Sequence, residues 1–217
     1  MPQDDRTSLL NLLATHSFKL GDFLLASGKR SDYYIDCRTT TLHAEGGRLS
    51  GLLLYDLIRE RFPLAEAVGG LTMGADPLVS NTASASAWAA ADHAEIVALA
   101  VEMELDESEG EAPKLLHGFL VRKAEKTHGT GRRIEGFNRA GAHVIVVDDV
   151  CTTGGSTILA IEAVREAGMI VDGVLCLVDR EQGGRANIEA AASNAPFHAL
   201  FTASDVRAAH IALSHPR

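Results

Sequence analysis

The chain is short of cysteine, of basic residues and of long apolar runs, and each shortage removes a class of function. Its three cysteines, Cys37, Cys151 and Cys176, stand alone, with no C-x-x-C pair among them. That spacing offers neither a disulfide framework nor a structural zinc site. The nine histidines are scattered and none falls in an H-E-x-x-H pattern, so a zinc-hydrolase helix is missing too. Lys and Arg total 20 against 29 Asp and Glu, a formal charge of −9 over 217 residues. A generic nucleic-acid binder needs a basic face to neutralise phosphates, and this balance argues against one. No apolar stretch approaches the roughly 18 residues of a membrane span. The opening Met-Pro-Gln-Asp-Asp-Arg is acidic and lacks the positive-then-apolar order of a secretory signal. A cytoplasmic protein with no membrane or nucleic-acid partner is expected. With 46% apolar and 23% charged residues, it should form one sizeable domain with at most a small appendage.

Apolar periodicity predicts an alternating α/β protein: a doubly wound, mainly parallel sheet flanked by helices, with a small N-terminal hood. Helices are expected over residues 4–15 and 42–62, with short strands and turns over 18–38 between them. From residue 65 the pattern becomes strand, turn, helix, repeated. Strands are expected at 66–71, 95–101, 118–121, 143–147, 173–178 and 197–202, and helices at 157–167 and 185–193. Asp76-Pro77 reads as a helix N-cap followed by proline, with the helix continuing to Trp88. We divide the chain into residues 1–42, the hood, and 43–217, the core, with a lid near 122–136. In doubly wound sheets, ligands bind at the carboxyl ends of the strands.

The most informative segment runs Val144-Ile-Val-Val-Asp148-Asp149-Val150-Cys151-Thr152-Thr153-Gly154-Gly155-Ser156-Thr157. Four β-branched residues make a buried strand, and two carboxylates follow at its end, where both should meet solvent. Gly154 and Gly155 let backbone N–H groups approach an anion. Thr152, Thr153, Ser156 and Thr157 add hydroxyls, and the following helix N-terminus favours negative charge. The loop is neither G-x-x-x-x-G-K-[ST] nor G-x-G-x-x-G. Carboxylates beside a phosphate cradle would repel the phosphate unless they address something else. Ribose hydroxyls or a magnesium shell meet that need, so the segment asks for a ribose 5-phosphate.

A second segment is Arg122-Lys123-Ala-Glu-Lys126-Thr-His128-Gly129-Thr-Gly131-Arg132-Arg133, which carries five bases and one acid. Just before it, residues 102–111 carry six acids and no base. Positive charge is therefore placed, and a basic loop with two glycines between strands suits a lid over a polyanion. A third segment, Phe23-Leu-Leu-Ala26-Ser27-Gly28-Lys-Arg-Ser31-Asp-Tyr33-Tyr34-Ile-Asp36-Cys-Arg38, offers two tyrosines able to stack on a planar ring. A fourth, Asp179-Arg180-Glu-Gln-Gly-Gly184, ends a strand with an arginine fork suited to a carboxylate.

The acid-pair segment resembles the phosphoribosyl pyrophosphate (PRPP) motif of the type I phosphoribosyltransferases. The other three resemble the lid, hood and D-R-x-x-G elements of the orotate-using branch. The resemblance spans roughly residues 18–184. It implies transfer of the 5-phosphoribosyl group from PRPP to orotate, with Mg²⁺ carried mainly by PRPP and no metal caged by protein. It implies a homodimer in which the lid is shared between subunits. By resemblance, PRPP is held by Arg122, Lys123, Lys126, His128, Asp148, Asp149, Val150, Cys151, Thr152, Thr153, Gly154, Gly155 and Ser156. Orotate is contacted by Thr152, Arg180 and Tyr34, and Lys126 and Asp149 are the catalytic pair. Some relatives carry lysine where Ala26 and Gly74 stand, so here the lid must supply more of the pyrophosphate clamp. A purine phosphoribosyltransferase and a PRPP-sensing regulator of the same fold are the alternatives.

Overall fold

The computed structural model describes residues 3–24, 30–103, 112–123, 133–193 and 195–215. The chain opens with helix α1 (Gln3–Leu12), which runs into a π-helical turn (Leu13–Ser17). Strands β1 (Phe18–Leu24) and β2 (Arg30–Ile35) then pair antiparallel as a separate two-stranded sheet, with Phe18 opposite Ile35. A short α2 (Arg38–Thr41) and a long α3 (Ala44–Arg61) lead into the main sheet. The rest follows as β3 (Ala67–Leu71), α4 (Asp76–Glu102), β4 (His117–Val121), β5 (Ile134–Gly136), β6 (His143–Cys151), α5 (Gly155–Glu166), β7 (Ile170–Asp179), α6 (Gly184–Ala191), β8 (Phe197–Thr202) and α7 (Ala203–Ser214).

The six-stranded sheet has the order β5-β4-β3-β6-β7-β8. All neighbours are parallel except β5, which pairs antiparallel with β4 at the edge. Both faces are covered, which is why the inner strands read as unbroken apolar runs. Alternate residues divide between two cores. Ile145, Val147, Leu175 and Leu177 pack with α1, α3, α4 and α7. Val144, Val146, Val174 and Cys176 pack with α5 and α6. The strand order turns back between β3 and β6, so the loops leaving their carboxyl ends face each other across a crevice.

Two expectations need correction, and one helix went unread. Residues 95–101 are not a strand but the last turns of α4, a helix of 27 residues. The segment from 78 to 102 contains no glycine or proline and is rich in alanine, so nothing ends the helix. Ile96 is 65% exposed, with Leu99 and Val101 also open, whereas an inner parallel strand buries both faces. Asp76 is not an N-cap: Ala75, already in helical conformation, holds that place without a side-chain cap, and Asp76 opens the first turn. The helix α7 was not anticipated. Its sequence signal is Thr202-x-x-Asp205, where Thr202 Oγ1 accepts from the Asp205 N–H and Asp205 Oδ2 accepts from the Thr202 N–H.

Gly70 sets the crevice. A Cβ there would lie 2.1 Å from the Val147 carbonyl oxygen and 2.6 Å from Ala75 Cβ, so only glycine lets the end of β3 lie this close to β6. Because the obstacle is backbone, it cannot swing aside. Gly70→Ala should cost about 1–3 kcal/mol by overpacking, read as a lowered denaturation midpoint; an unchanged midpoint would show that this approach is not tight.

Candidate functional site

The acid pair lies inside the sheet rather than beyond it. β6 continues past the apolar run to Cys151, and Asp148 still pairs in register with Cys176 of β7. Successive residues point to opposite faces, so the two carboxylates have different surroundings. Asp148 is 8% exposed. Its Oδ2 accepts from Thr157 Oγ1 at 2.6 Å and its Oδ1 from the Asp149 N–H at 3.0 Å. Burial, with the charge of Asp149 added, pushes its carboxyl up to about 7. Asp149 is also raised by burial, though the nearby Arg38 guanidinium favours its charged form. The expectation that both acids meet solvent therefore fails for Asp148. The Thr157 hydroxyl is likewise spent on Asp148 rather than free for a ligand.

The loop after β6 is shaped by glycine and by α6. Gly154 has φ +84°, and a Cβ on it would meet Ile188 Cγ1 at 2.7 Å. At the start of α6, a Cβ on Gly184 would meet Cys151 Sγ at 2.4 Å and the Thr152 carbonyl oxygen at 2.8 Å. Asn187 Nδ2 donates to the Thr153 carbonyl at 3.0 Å. The loop is thus clamped from below, while Gly155 and Ser156 at the start of α5 stay exposed. Burial pushes the Cys151 thiol up to about 12 and the Cys37 and Cys176 thiols well above their ordinary value. None of the three is a nucleophile at neutral pH.

A cavity of about 870 Å³ lies over the crevice. Tyr34, Arg122, Lys123, Asp148, Asp149, Val150 and Ser156 are the expected residues that line it. Cys151, Thr152, Thr153, Gly154, Gly155 and Arg180 are not part of its wall. Arg122 and Lys123 leave the end of β4. The Arg122 N–H bonds the Arg133 carbonyl at 2.9 Å, and its side chain reaches Glu135 at 3.4 Å. Lys126 and His128 lie outside the described residues, as do Ser27, Gly28 and most of the acidic stretch 102–111.

The two tyrosines of β2 have separate fates. Tyr34 is 41% exposed on the cavity wall, while Tyr33 turns inward and stacks on Phe18. Arg180, 8% exposed, lies over the Tyr33 ring at 4.8 Å. It donates to Tyr33 Oη at 3.4 Å and Ser31 Oγ at 3.3 Å, and its backbone N–H bonds the Cys151 carbonyl at 2.8 Å. The cavity also takes in Asp36, Arg38 and Glu135, for which no role was foreseen, and the turn from Leu71 to Gly74, whose backbone N–H groups were expected to serve a pyrophosphate. For Asp36 and Arg38 the available signal was a D-x-R spacing directly after a strand. At Gly74, an added Cβ would sit 2.3 Å from Asp149 Oδ1, so the missing side chain is what lets this turn close on the acid.

Comparison with known proteins agrees with this geometry. The model of the phosphoribosyl transferase domain family matches residues 118–195, from β4 to just beyond α6. The chain is 42% identical over 203 residues to the orotate phosphoribosyltransferase of Synechocystis sp., covering 93% of this chain and 88% of that one. It is 39% identical over 205 residues to the orotate phosphoribosyltransferase of Aquifex aeolicus, covering 93% and 97%. Among solved structures, Mycobacterium tuberculosis orotate phosphoribosyltransferase in complex with PRPP superposes with a TM-score of 0.67 at 29% identity, covering 93% of this chain and 98% of that one.

The buried acid has a consequence for stability. The Asp148 carboxyl stands at about 7 in the fold, against an ordinary value of 3.8. Between those values the folded chain holds a proton that the unfolded chain has lost. Its stabilising effect is therefore full below about pH 4 and fades as pH rises through about 7. Asp148→Asn cannot ionise, so from pH 5 to pH 8 it should gain on the parent by on the order of 1–3 kcal/mol. Denaturation midpoints across that range measure this; parallel profiles would refute it.

Proposed function

The chain belongs to the orotate phosphoribosyltransferase family, and from that premise we propose how its own residues carry the transfer. The enzyme moves the 5-phosphoribosyl group of PRPP to orotate, giving orotidine 5′-phosphate and pyrophosphate in pyrimidine synthesis. The observation that carries the assignment of roles is the acid pair of β6, set above a glycine-shaped loop at the point where the strand order turns back. In our reading, Asp148 and Asp149 accept hydrogen bonds from the ribose hydroxyls. Backbone N–H groups of Thr152, Thr153, Gly154 and Gly155, with the Ser156 hydroxyl, hold the 5-phosphate at the positive end of α5. Arg122, Lys123, Lys126 and His128 meet the pyrophosphate, and Val150 and Cys151 complete the strand end beneath the sugar.

The C1–O bond breaks with its electron pair leaving on pyrophosphate, while the orotate ring nitrogen attacks C1 and gives up its proton to the released pyrophosphate or to solvent. Positive charge builds on the ribose, and Asp149, the more open of the two acids, is placed to offset it. Negative charge builds on the leaving group, where Lys126 is the base assigned to stabilise it. A closed lid would exclude water from the reactive sugar. Tyr34 offers its ring face to orotate, with Thr152 beside it, and Arg180 is the carboxylate partner. The bonds tethering Arg180 to Ser31 and Tyr33 are long, so exchanging them for a charge-assisted pair costs little.

Mg²⁺ fits as an ion brought in on PRPP. Among the described residues no three His, Cys, Asp or Glu side chains converge on one point, and the cavity's open acid, Asp149, suits a single outer contact. When bound, the ion would draw charge from the pyrophosphate oxygens. We also propose that a second copy of the chain brings its lid to this cavity. Met73 on the wall, Leu42 in the adjoining groove and Trp88 on α4 are exposed apolar residues that such a copy would cover.

Ultraviolet monitoring of orotate in the presence of PRPP and Mg²⁺ tests the reading, with adenine and hypoxanthine as alternative bases. Orotate-dependent pyrophosphate release is expected; turnover of a purine instead would overturn it. Arg180→Ala should raise KM for orotate about tenfold or more and leave KM for PRPP nearly unchanged; equal effects on both substrates would remove Arg180 from the base site. Lys126→Ala should lower kcat by about a hundredfold while PRPP binding falls only a few-fold; an unchanged kcat would end that role.

A further inference from the structure

The cavity has a base that lies neither on the lid nor on its roots. Its described wall holds four acids, Asp36, Glu135, Asp148 and Asp149, against three bases, Arg38, Arg122 and Lys123. Arg122 and Lys123 stand where the lid leaves β4, and Arg122 already meets Glu135. Arg38 is different, because the backbone on both sides of it is pinned. Cys37 is fully buried, its carbonyl accepts from the N–H groups of Thr40 and Thr41, and Ser17 Oγ bonds the hydroxyls of Thr39 and Thr40.

The side chain is pinned as well. Asp36 takes the Arg38 fork two-handed, Nε to Oδ1 at 2.9 Å and Nη2 to Oδ2 at 2.8 Å, and also accepts the Arg38 backbone N–H at 3.1 Å. Of five guanidinium N–H donors this uses two, so the planar fork presents the other three away from Asp36. Those donors belong to a wall that Arg38 shares with Tyr34, Asp149 and the Thr72–Gly74 turn. Gly74 carries no side chain that would stand between them, and the turn closes to within a Cβ's reach of Asp149.

We infer that Arg38, held by Asp36, is a fixed binding residue for the diphosphate group of PRPP and for free pyrophosphate, resting on the reading of this cavity as a PRPP site. The diphosphate is the densest negative charge of the substrate, and Asp149 beside it would repel it without a neighbouring cation. Arg122 on the same wall is already engaged with Glu135, whereas Arg38 is held by Asp36 with donors to spare. A ligand group recognised this way gains from preorganisation, because the arginine side chain has little freedom left to lose. The 5-phosphate is served by Ser156 and the loop before α5, so Arg38 should distinguish the two ends of the substrate.

Binding of three probes to the full-length protein, each with Mg²⁺ and without orotate, tests this: PRPP, inorganic pyrophosphate and ribose 5-phosphate. Arg38→Gln should weaken PRPP and pyrophosphate about tenfold or more and ribose 5-phosphate less than about twofold. Arg38→Lys, which keeps the charge but not the two-handed fork, should fall between. Asp36→Asn, with Arg38 intact but loosened, should also weaken pyrophosphate selectively. Should Arg38→Gln fail to fold, the ratio of pyrophosphate to ribose 5-phosphate affinity in the other two variants decides. An unchanged ratio or equal weakening of both probes would overturn the assignment. Because the binding assays omit orotate, failure of the parent protein to turn over orotate would reject the base assignment and leave this test standing.

Discussion

The hydrogen bond from Thr157 to Asp148 is the constraint around which the site is built. It joins the end of β6 to the first turn of α5 across 2.6 Å, and every residue of the Thr/Gly/Ser loop lies between those two anchors. Closing so short a loop forces a left-handed residue, which Gly154 supplies. The turn then projects into α6, where Gly184 and Ile188 must leave room for it. The bond also sets the two acids apart: Asp148, which it holds, is the more buried, while Asp149 is the more open and the turn at Gly74 closes on it. One interaction thus fixes the loop, the helix behind it and the acid in front.

That arrangement has an electrostatic cost, and the cost explains where the bases are. Two adjacent carboxylates, one of them buried, sit in a protein that is already acidic overall. A polyanionic substrate entering such a place needs cations close at hand, and the chain concentrates them on the cavity. Arg122 and Lys123 stand at the end of β4 on the cavity wall. Arg38 stands on the opposite, hood side. The net charge of −9 therefore says little about what the protein binds. The placement of a few bases says more.

Much of this was legible in the sequence, for reasons that separate the legible parts from the others. The run Val144-Ile-Val-Val, the acid pair and the Thr/Gly/Ser loop are contiguous, so the strand, loop and helix they form could be read directly. What depends on partners distant in the chain was not legible. Apolar periodicity marks where β6 begins but not that it continues through Cys151, because that extension rests on pairing with β7. The inward turn of Asp148 and the capture of the Thr157 hydroxyl follow from it. Residues 95–101 have the composition of a strand, and only the absence of a helix breaker from residue 78 to 102 argues otherwise. Asp36 and Arg38 were visible as a spacing, but a spacing does not say that the pair faces a cavity.

Arg180 shows how the hood and the sheet are coupled. Its backbone is fixed by the Cys151 carbonyl at the foot of the Thr/Gly/Ser loop, while its side chain lies against Tyr33 and Ser31 of β2. Tyr33 in turn packs on Phe18, and Phe18 on His210 of α7. Tyr34, the next residue of the same strand, faces the cavity. A planar anion lying on Tyr34 and drawing on Arg180 would pull on both sides of this joint at once. A ligand that drew on Arg180 would therefore act on β2 and the sheet together, exchanging two long bonds while the stacking of Tyr33 on Phe18 lies beneath them.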